Sequence, residues 1–207
     1  MASIPHNQNA DEMLRLLAAQ RTWYGRAKRL LTFQLVVSFL APCLAVFSSI
    51  PRPWVALTGL LAALLDALVL DPGQIRRREM AAKIQEQFDC NVLLLPWNKS
   101  KLGSLTEPED IHDGASESVS SPELRDWYPS EVAGVPAGVA RAICQRANVT
   151  WDARLRTFYR GIVAWVAAAT SVTVMVVGLV RDLSVESMTI SVVAPLAPLL
   201  LWSIREW

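Results

Sequence analysis

The stretch 158–180, FYRGIVAWVAAATSVTVMVVGLV, carries no charged side chain between Gly161 and Val180. About 20 residues of α-helix, at about 1.5 Å each, reach across a hydrocarbon core about 30 Å thick. Three more windows share its character, Leu30–Ile50, Trp54–Leu70 and Met188–Ile204, so that four segments of 17 to 23 residues are apolar with almost no charge inside them. Apolar residues make up 52% of the 207, and they are clustered in these windows rather than scattered. A chain this short cannot bury four helices that are greasy on every side. Backbone N–H and C=O groups must also be satisfied within any lipid-exposed segment, which makes these windows helices rather than strands. The sequence therefore reads as an all-α membrane protein with four transmembrane helices arranged as two hairpins.

Charge gives the orientation. Eighteen of the 20 Lys and Arg residues lie before the first window, between the second and third with Arg160 at the head of the third counted in, or after the fourth; the two short turns hold only Arg52 and Arg181. By the positive-inside rule both termini and the middle segment are cytoplasmic, and the chain is multi-pass. The expected organisation is an N-terminal cytoplasmic helix (1–29), a first membrane hairpin (30–70), a cytoplasmic segment (71–157), a second hairpin (158–204) and a short cytoplasmic end (205–207). The 29 polar and charged residues ahead of the first window, with no small-residue cleavage site after it, exclude a secretion signal. Two glycosylation sequons, Asn98-Lys99-Ser100 and Asn148-Val149-Thr150, fall on the cytoplasmic side and are read as chance.

The middle segment is mainly helical by pattern. Asp71-Pro72 reads as a cap followed by a first-turn proline, opening a helix through about Phe88. Cys90–Leu95 reads as a short apolar strand ended by Pro96, residues 104–122 as a mobile Ser-rich acidic loop, and Ala137–Ala147 as a further helix.

Several residues could carry function. Asp66 is the carboxylate that lies well inside a window, where it either faces a water-filled path or is hydrated near the headgroups. Thr170 and Thr173, among small residues on the third helix, suit close helix packing or an oligomer surface, and Pro195 and Pro198 should bend the fourth. For catalysis the chain offers little: His6 and His112 are isolated, no phosphate loop or nucleophile elbow occurs, and Cys90 and Cys144 have no base nearby in sequence. With Cys43 inside a window the three cysteines support neither a disulfide framework nor a zinc site, so no metal, no resident cofactor and no enzyme is expected. Arginines interleaved with Trp97, Trp127, Tyr128 and Trp151 suit a nucleotide, or anionic headgroups, which composition alone favours.

Three blocks resemble one family. The first runs from Ile4-Pro5 through Gln8-Asn9 to Leu17-Ala18-Ala19-Gln20-Arg21; the second is Ile84-Gln85-Glu86-Gln87-Phe88-Asp89-Cys90 with Leu95-Pro96-Trp97-Asn98. The third joins Trp127-Tyr128-Pro129 to Cys144 through Asp152 and Leu155-Arg156. In order and in placement against the four windows they resemble the S-4TM proteins, effectors of bacterial cyclic-oligonucleotide (CBASS) anti-phage systems predicted to form pores. The resemblance implies a homo-oligomeric effector in the bacterial inner membrane. A cyclic oligonucleotide from a partner synthetase would activate it to permeabilise the bilayer and abort infection; no DNA or RNA polymer is a partner. It assigns the ligand, as a working site, to Arg141, Arg146, Trp151 and Arg156. It also implies a further cytoplasmic stretch after the fourth helix, so a chain stopping at Trp207 is expected to be truncated or a short member. The rival reading is a non-conducting membrane scaffold or transporter-like subunit that binds a protein through its cytoplasmic segment.

Overall fold

The computed structural model describes residues 4–47, 52–115 and 122–180, with Asp182, Ser184 and Glu186. In order these form α1 (Ile4–Asn7), α2 (Asp11–Phe47), α3 (Arg52–Leu65), a π-helical turn (Asp66–Leu70), α4 (Asp71–Leu93), α5 (Lys99–Leu102), α6 (Pro108–Ala115), two 3-10 turns (Pro122–Leu124 and Ser130–Gly134) and α7 (Ala137–Val180). The described residues are helical with no strand. The window Met188–Ile204, with Pro195 and Pro198, lies outside them.

The chain folds as two compact units, one of Met1–Lys28 with Ile75–Ala153 and the other of Arg29–Gln74 with Arg154–Trp207. The first has an ordinary apolar core. Leu14, Leu16, Leu17, Ala18 and Ala19 from α2 pack with Ile84, Phe88, Val92 and Leu93 from α4, with Leu124, Tyr128 and Val132 from the 3-10 region, and with Ala140 and Cys144 from α7. The three- and four-residue spacing on α4 is what presents one continuous apolar stripe to this core.

The second unit has the opposite distribution of apolar groups. Trp54, Leu60, Leu61, Leu68, Trp165, Val172, Leu179 and Val180 all point outward and are exposed, while Thr170 is buried. The helical runs Leu57–Leu93 and Ala137–Val180 are long and apolar enough to cross a membrane. Only 11% and 18% of the residues in their most apolar windows are buried, whereas the core helix of a soluble protein is mostly buried. Side chains this apolar and this exposed need a solvent other than water.

Four expectations for the middle segment change. Cys90–Leu95 is not a strand: residues 90–93 complete α4, with Val92 and Leu93 each 1% exposed in the core. The helix stops because Leu94 takes a left-handed conformation, φ 55°, which lets the Leu95 N–H reach back to the Cys90 carbonyl at 2.9 Å. That is the closing bond of a helix C-cap, and an apolar run of four residues is equally compatible with a strand or a helix end.

Asp71 does not open a helix either. The chain is helical from α3 through the π turn into α4, and the Asp71 N–H bonds the Asp66 carbonyl. Pro72 has no N–H for the Leu68 carbonyl and its ring crowds that oxygen; the wider turn just before it absorbs the conflict without breaking the helix. Within 104–122, residues 108–115 form α6 rather than a loop. Finally, the helix that starts at Ala137 continues without interruption to Val180.

Candidate functional site

Segments distant in the chain meet at Asp89, a half-buried carboxylate on α4 one residue past the core residue Phe88. The Tyr128 hydroxyl donates to Asp89 Oδ1 at 2.6 Å, and Asn148 Nδ2 on α7 donates to Asp89 Oδ2 at 2.8 Å. The same Asn148 nitrogen also lies 2.8 Å from the Tyr128 hydroxyl oxygen, to which it donates. The three side chains thus close a triangle that ties α4, the 126–132 region and α7 together. Phe88 stacks on the Tyr128 ring, centroids 6.1 Å apart, and takes the edge of Trp127 on its other contact at 6.5 Å.

The N-terminal residues fix Tyr128 from behind. Gln8 is fully buried; its Nε2 donates to the Tyr128 carbonyl at 3.2 Å and its Oε1 accepts from the Tyr128 N–H at 2.7 Å. One primary amide therefore satisfies both main-chain groups of a buried residue in a region with no helix or sheet ladder to do so. Asn9 holds the turn before it through one main-chain and one side-chain group: its Oδ1 accepts from the Asp126 N–H at 3.1 Å and its Nδ2 donates to Asp126 Oδ1 at 2.9 Å. Asp126 is held at φ 52°, a conformation short polar side chains tolerate.

Loss of water around Asp89 dominates its electrostatics and pushes its carboxyl up from 3.8 to about 6, against the hydrogen bonds from Tyr128 and Asn148 and with help from the charge of Glu86. Burial, then the charge of Asp89, pushes the Tyr128 hydroxyl above its usual range. Burial likewise raises both thiols, Cys144 with Asp89 as the second cause and Cys90 with Glu86. A raised thiol is protonated at neutral pH and a poor nucleophile. The node is suited to holding three segments in one arrangement, with a proton affinity close to physiological pH.

Arg141, Arg146, Trp151 and Arg156 all lie on α7. Trp151 is 67% exposed, with Arg146 and Arg156 also exposed and Arg141 half-buried. At about 100° and 1.5 Å per residue, Arg146 and Trp151 fall about 140° apart around the helix, and Arg141 and Arg156 about 22 Å apart along it. The four form a spiral rather than one patch, and Arg156 belongs to the second unit. Thr170 is buried and bonds the Val166 carbonyl of its own helix at 2.8 Å, Thr173 is half-buried, and Asp66 accepts from Gln34 Nε2 at 2.6 Å. Among the described residues no group of His, Cys, Asp and Glu could hold a metal ion.

Sequence reasoning passed over Gln8, Asn9, Asp89 and Asn148 as actors, and took Tyr128 only as one of the aromatics suited to a nucleotide or headgroup. The available signal was an acid set beside the apolar stripe Ile84, Phe88, Val92, and a Gln-Asn pair just ahead of a helix.

The model of the SMODS-associating 4TM effector domain matches residues 2–207. A protein of Bacillus cereus (strain VD146) described as a probable CBASS effector molecule is 26% identical over 211 residues, covering 96% of this chain and 70% of the relative. No solved structure matches the chain significantly.

Proposed function

The chain belongs to the SMODS-associating 4TM effector family, whose model spans residues 2–207, and from that premise we propose that it is the membrane-permeabilising effector of a CBASS anti-phage system. Its apolar helices cross the bacterial inner membrane four times as two hairpins, with both termini and the helical unit in the cytoplasm. The observation that carries this reading is the division of one chain into two kinds of unit. One hides its apolar side chains in a core; the other turns Trp54, Leu68, Trp165 and Val180 outward, each at least 61% exposed.

The helical unit receives the signal, a cyclic oligonucleotide made by a partner synthetase. Trp151 offers an indole face for a base, and Arg141 and Arg146 offer guanidinium groups for phosphate. Arg156 extends the same basic helix. Binding shifts a resting population toward an open, oligomeric state, and a switch from 1:99 to 99:1 takes about 5.5 kcal/mol of differential affinity. Loss of ion gradients then kills the infected cell before phage matures.

The test is dye release from phospholipid vesicles holding the purified full chain, with a panel of cyclic di- and trinucleotides. Release that depends on one nucleotide supports the reading. Binding of a nucleotide or a protein partner with no release under any condition would leave a non-conducting scaffold instead.

A further inference from the structure

The second unit holds three polar side chains, Gln34, Asp66 and Gln74, that the node at Asp89 does not involve. Asp66, the first residue of the π turn and four residues from the end of the apolar window 54–70, is met at 2.6 Å by the amide nitrogen of Gln34 on α2. The amide oxygen of Gln34 is buried without a hydrogen-bond partner. Gln74 is 1% exposed, and both its amide oxygen and its amide nitrogen are likewise buried and unpartnered. A buried polar atom left without a partner is unfavourable and uncommon, so these three call for an explanation.

The π turn explains how they come to share a face. On a regular helix Asp66 and Gln74, eight residues apart, would stand about 80° from one another; absorbing one extra residue in the turn brings them within about 20°. The buried Gln74 marks the inward face of this helix, and the turn swings Asp66 onto it. π turns recur at functional sites for the same reason, since they re-aim a side chain without breaking the helix.

We infer that Asp66, Gln34 and Gln74 line a hydrated path through the second unit that takes monovalent cations. The inference rests on the membrane-permeabilising reading and specifies which ions that state passes. A carboxylate and two amide oxygens are hard donors suited to alkali ions, and no cationic side chain pairs with Asp66 among the described residues. Acidic side chains set cation preference in pores in this way. Water and a mobile cation give the orphan amide atoms the partners that the protein does not.

Two measurements on the full chain in phosphatidylethanolamine–phosphatidylglycerol vesicles test it. Under a KCl gradient, with the panel of cyclic di- and trinucleotides added, the protein should pass K+ over Cl− by about tenfold or more, as expected for a low-dielectric passage bearing one sign of charge. Asp66→Asn should bring the two ions close to parity, and Asp66→Glu should keep the preference. In the second, Gln74→Cys should react with a positively charged thiosulfonate reagent and much more slowly with a negatively charged one, whether or not current flows. If the wild type carries no current with any nucleotide of the panel while Gln74→Cys still shows that charge preference, the permeabilising reading fails and the hydrated path stands. A cysteine at 74 inert to both reagents, or conduction whose K+ to Cl− ratio is unchanged in Asp66→Asn, overturns the inference.

Discussion

A methyl group placed on Gly114 would stand 2.9 Å from the Cα atom of Ala19, and as close to its Cβ. Helix α6 therefore lies against α2 at backbone contact distance, closer than any side chain permits. Around this contact Trp23 Nε1 donates to the Asp110 carbonyl at 3.2 Å, and Arg26 pairs with Asp113 at 2.6 Å while its guanidinium covers the Trp23 ring.

Gly114→Ala should accordingly push α6 away from α2. Backbone cannot yield as a flexible side chain can, so the cost is that of overpacking, about 1–3 kcal/mol. Hydrogen exchange should show residues 108–115 losing protection with the rest of the helical unit little changed. Unaltered protection over α6 would contradict the packing described.

Replacing Gln8 by Ala strips both main-chain partners from Tyr128 in a fully buried setting. Each orphaned group costs about 1–3 kcal/mol, which makes this among the most destabilising single changes in the unit. Gln8→Glu keeps an acceptor for the N–H but sets a buried carboxylate against the Tyr128 carbonyl, and should be no more stable than Ala at neutral pH in urea unfolding followed by tryptophan fluorescence. An order with Glu as stable as Gln would show that the carbonyl bond contributes nothing.

The pH dependence follows from Asp89. Its carboxyl is raised to about 6 in the fold against 3.8 ordinarily, so between those values the folded state holds a proton that the unfolded chain has released. The contribution of this carboxyl to stability is therefore greatest below about pH 4, declines as pH rises towards 6 and is level above, the total being on the order of 3 kcal/mol. Asp89→Asn should flatten this part of the profile in unfolding experiments from pH 4 to 7. A slope that survives the substitution must come from another group.

At the end of α4, Leu94 sits in a left-handed conformation with its side chain 61% exposed. Leu94→Gly removes a steric penalty of about 1–2 kcal/mol for a β-carbon there, offset in part by the entropy glycine loses. The variant should be as stable as wild type or more stable by up to about 1 kcal/mol. A clear loss of stability would mean that the exposed leucine makes contacts of its own.

For the ligand, Arg146→Ala and Trp151→Ala should each weaken cyclic-nucleotide binding about tenfold, the effect of one lost charge-assisted contact or one stacked base. Calorimetry with the full chain in detergent reads this directly, and unchanged affinity in Arg146→Ala removes that residue from the site.

The sequence by itself determined that this chain is helical and that its apolar side chains need a medium other than water, because hydropathy and helical length are sums over neighbouring residues. It also carried the family resemblance, which the match over residues 2–207 bears out. Helix ends were less legible: Val92-Leu93-Leu94-Leu95 suits a strand or a helix terminus equally, and only the core receiving Val92 and Leu93 decides between them. How the residues of the Asp89 node come together was not legible in the sequence. Tyr128 lies 120 residues from Gln8 and 39 from Asp89, and Asp89 lies 59 from Asn148. Gln8, Asp89 and Asn148 stand in the blocks that carry the resemblance, but nothing along the chain links them; what joins them is the closing of distant segments around the buried Tyr128, where loss of water makes each hydrogen bond count.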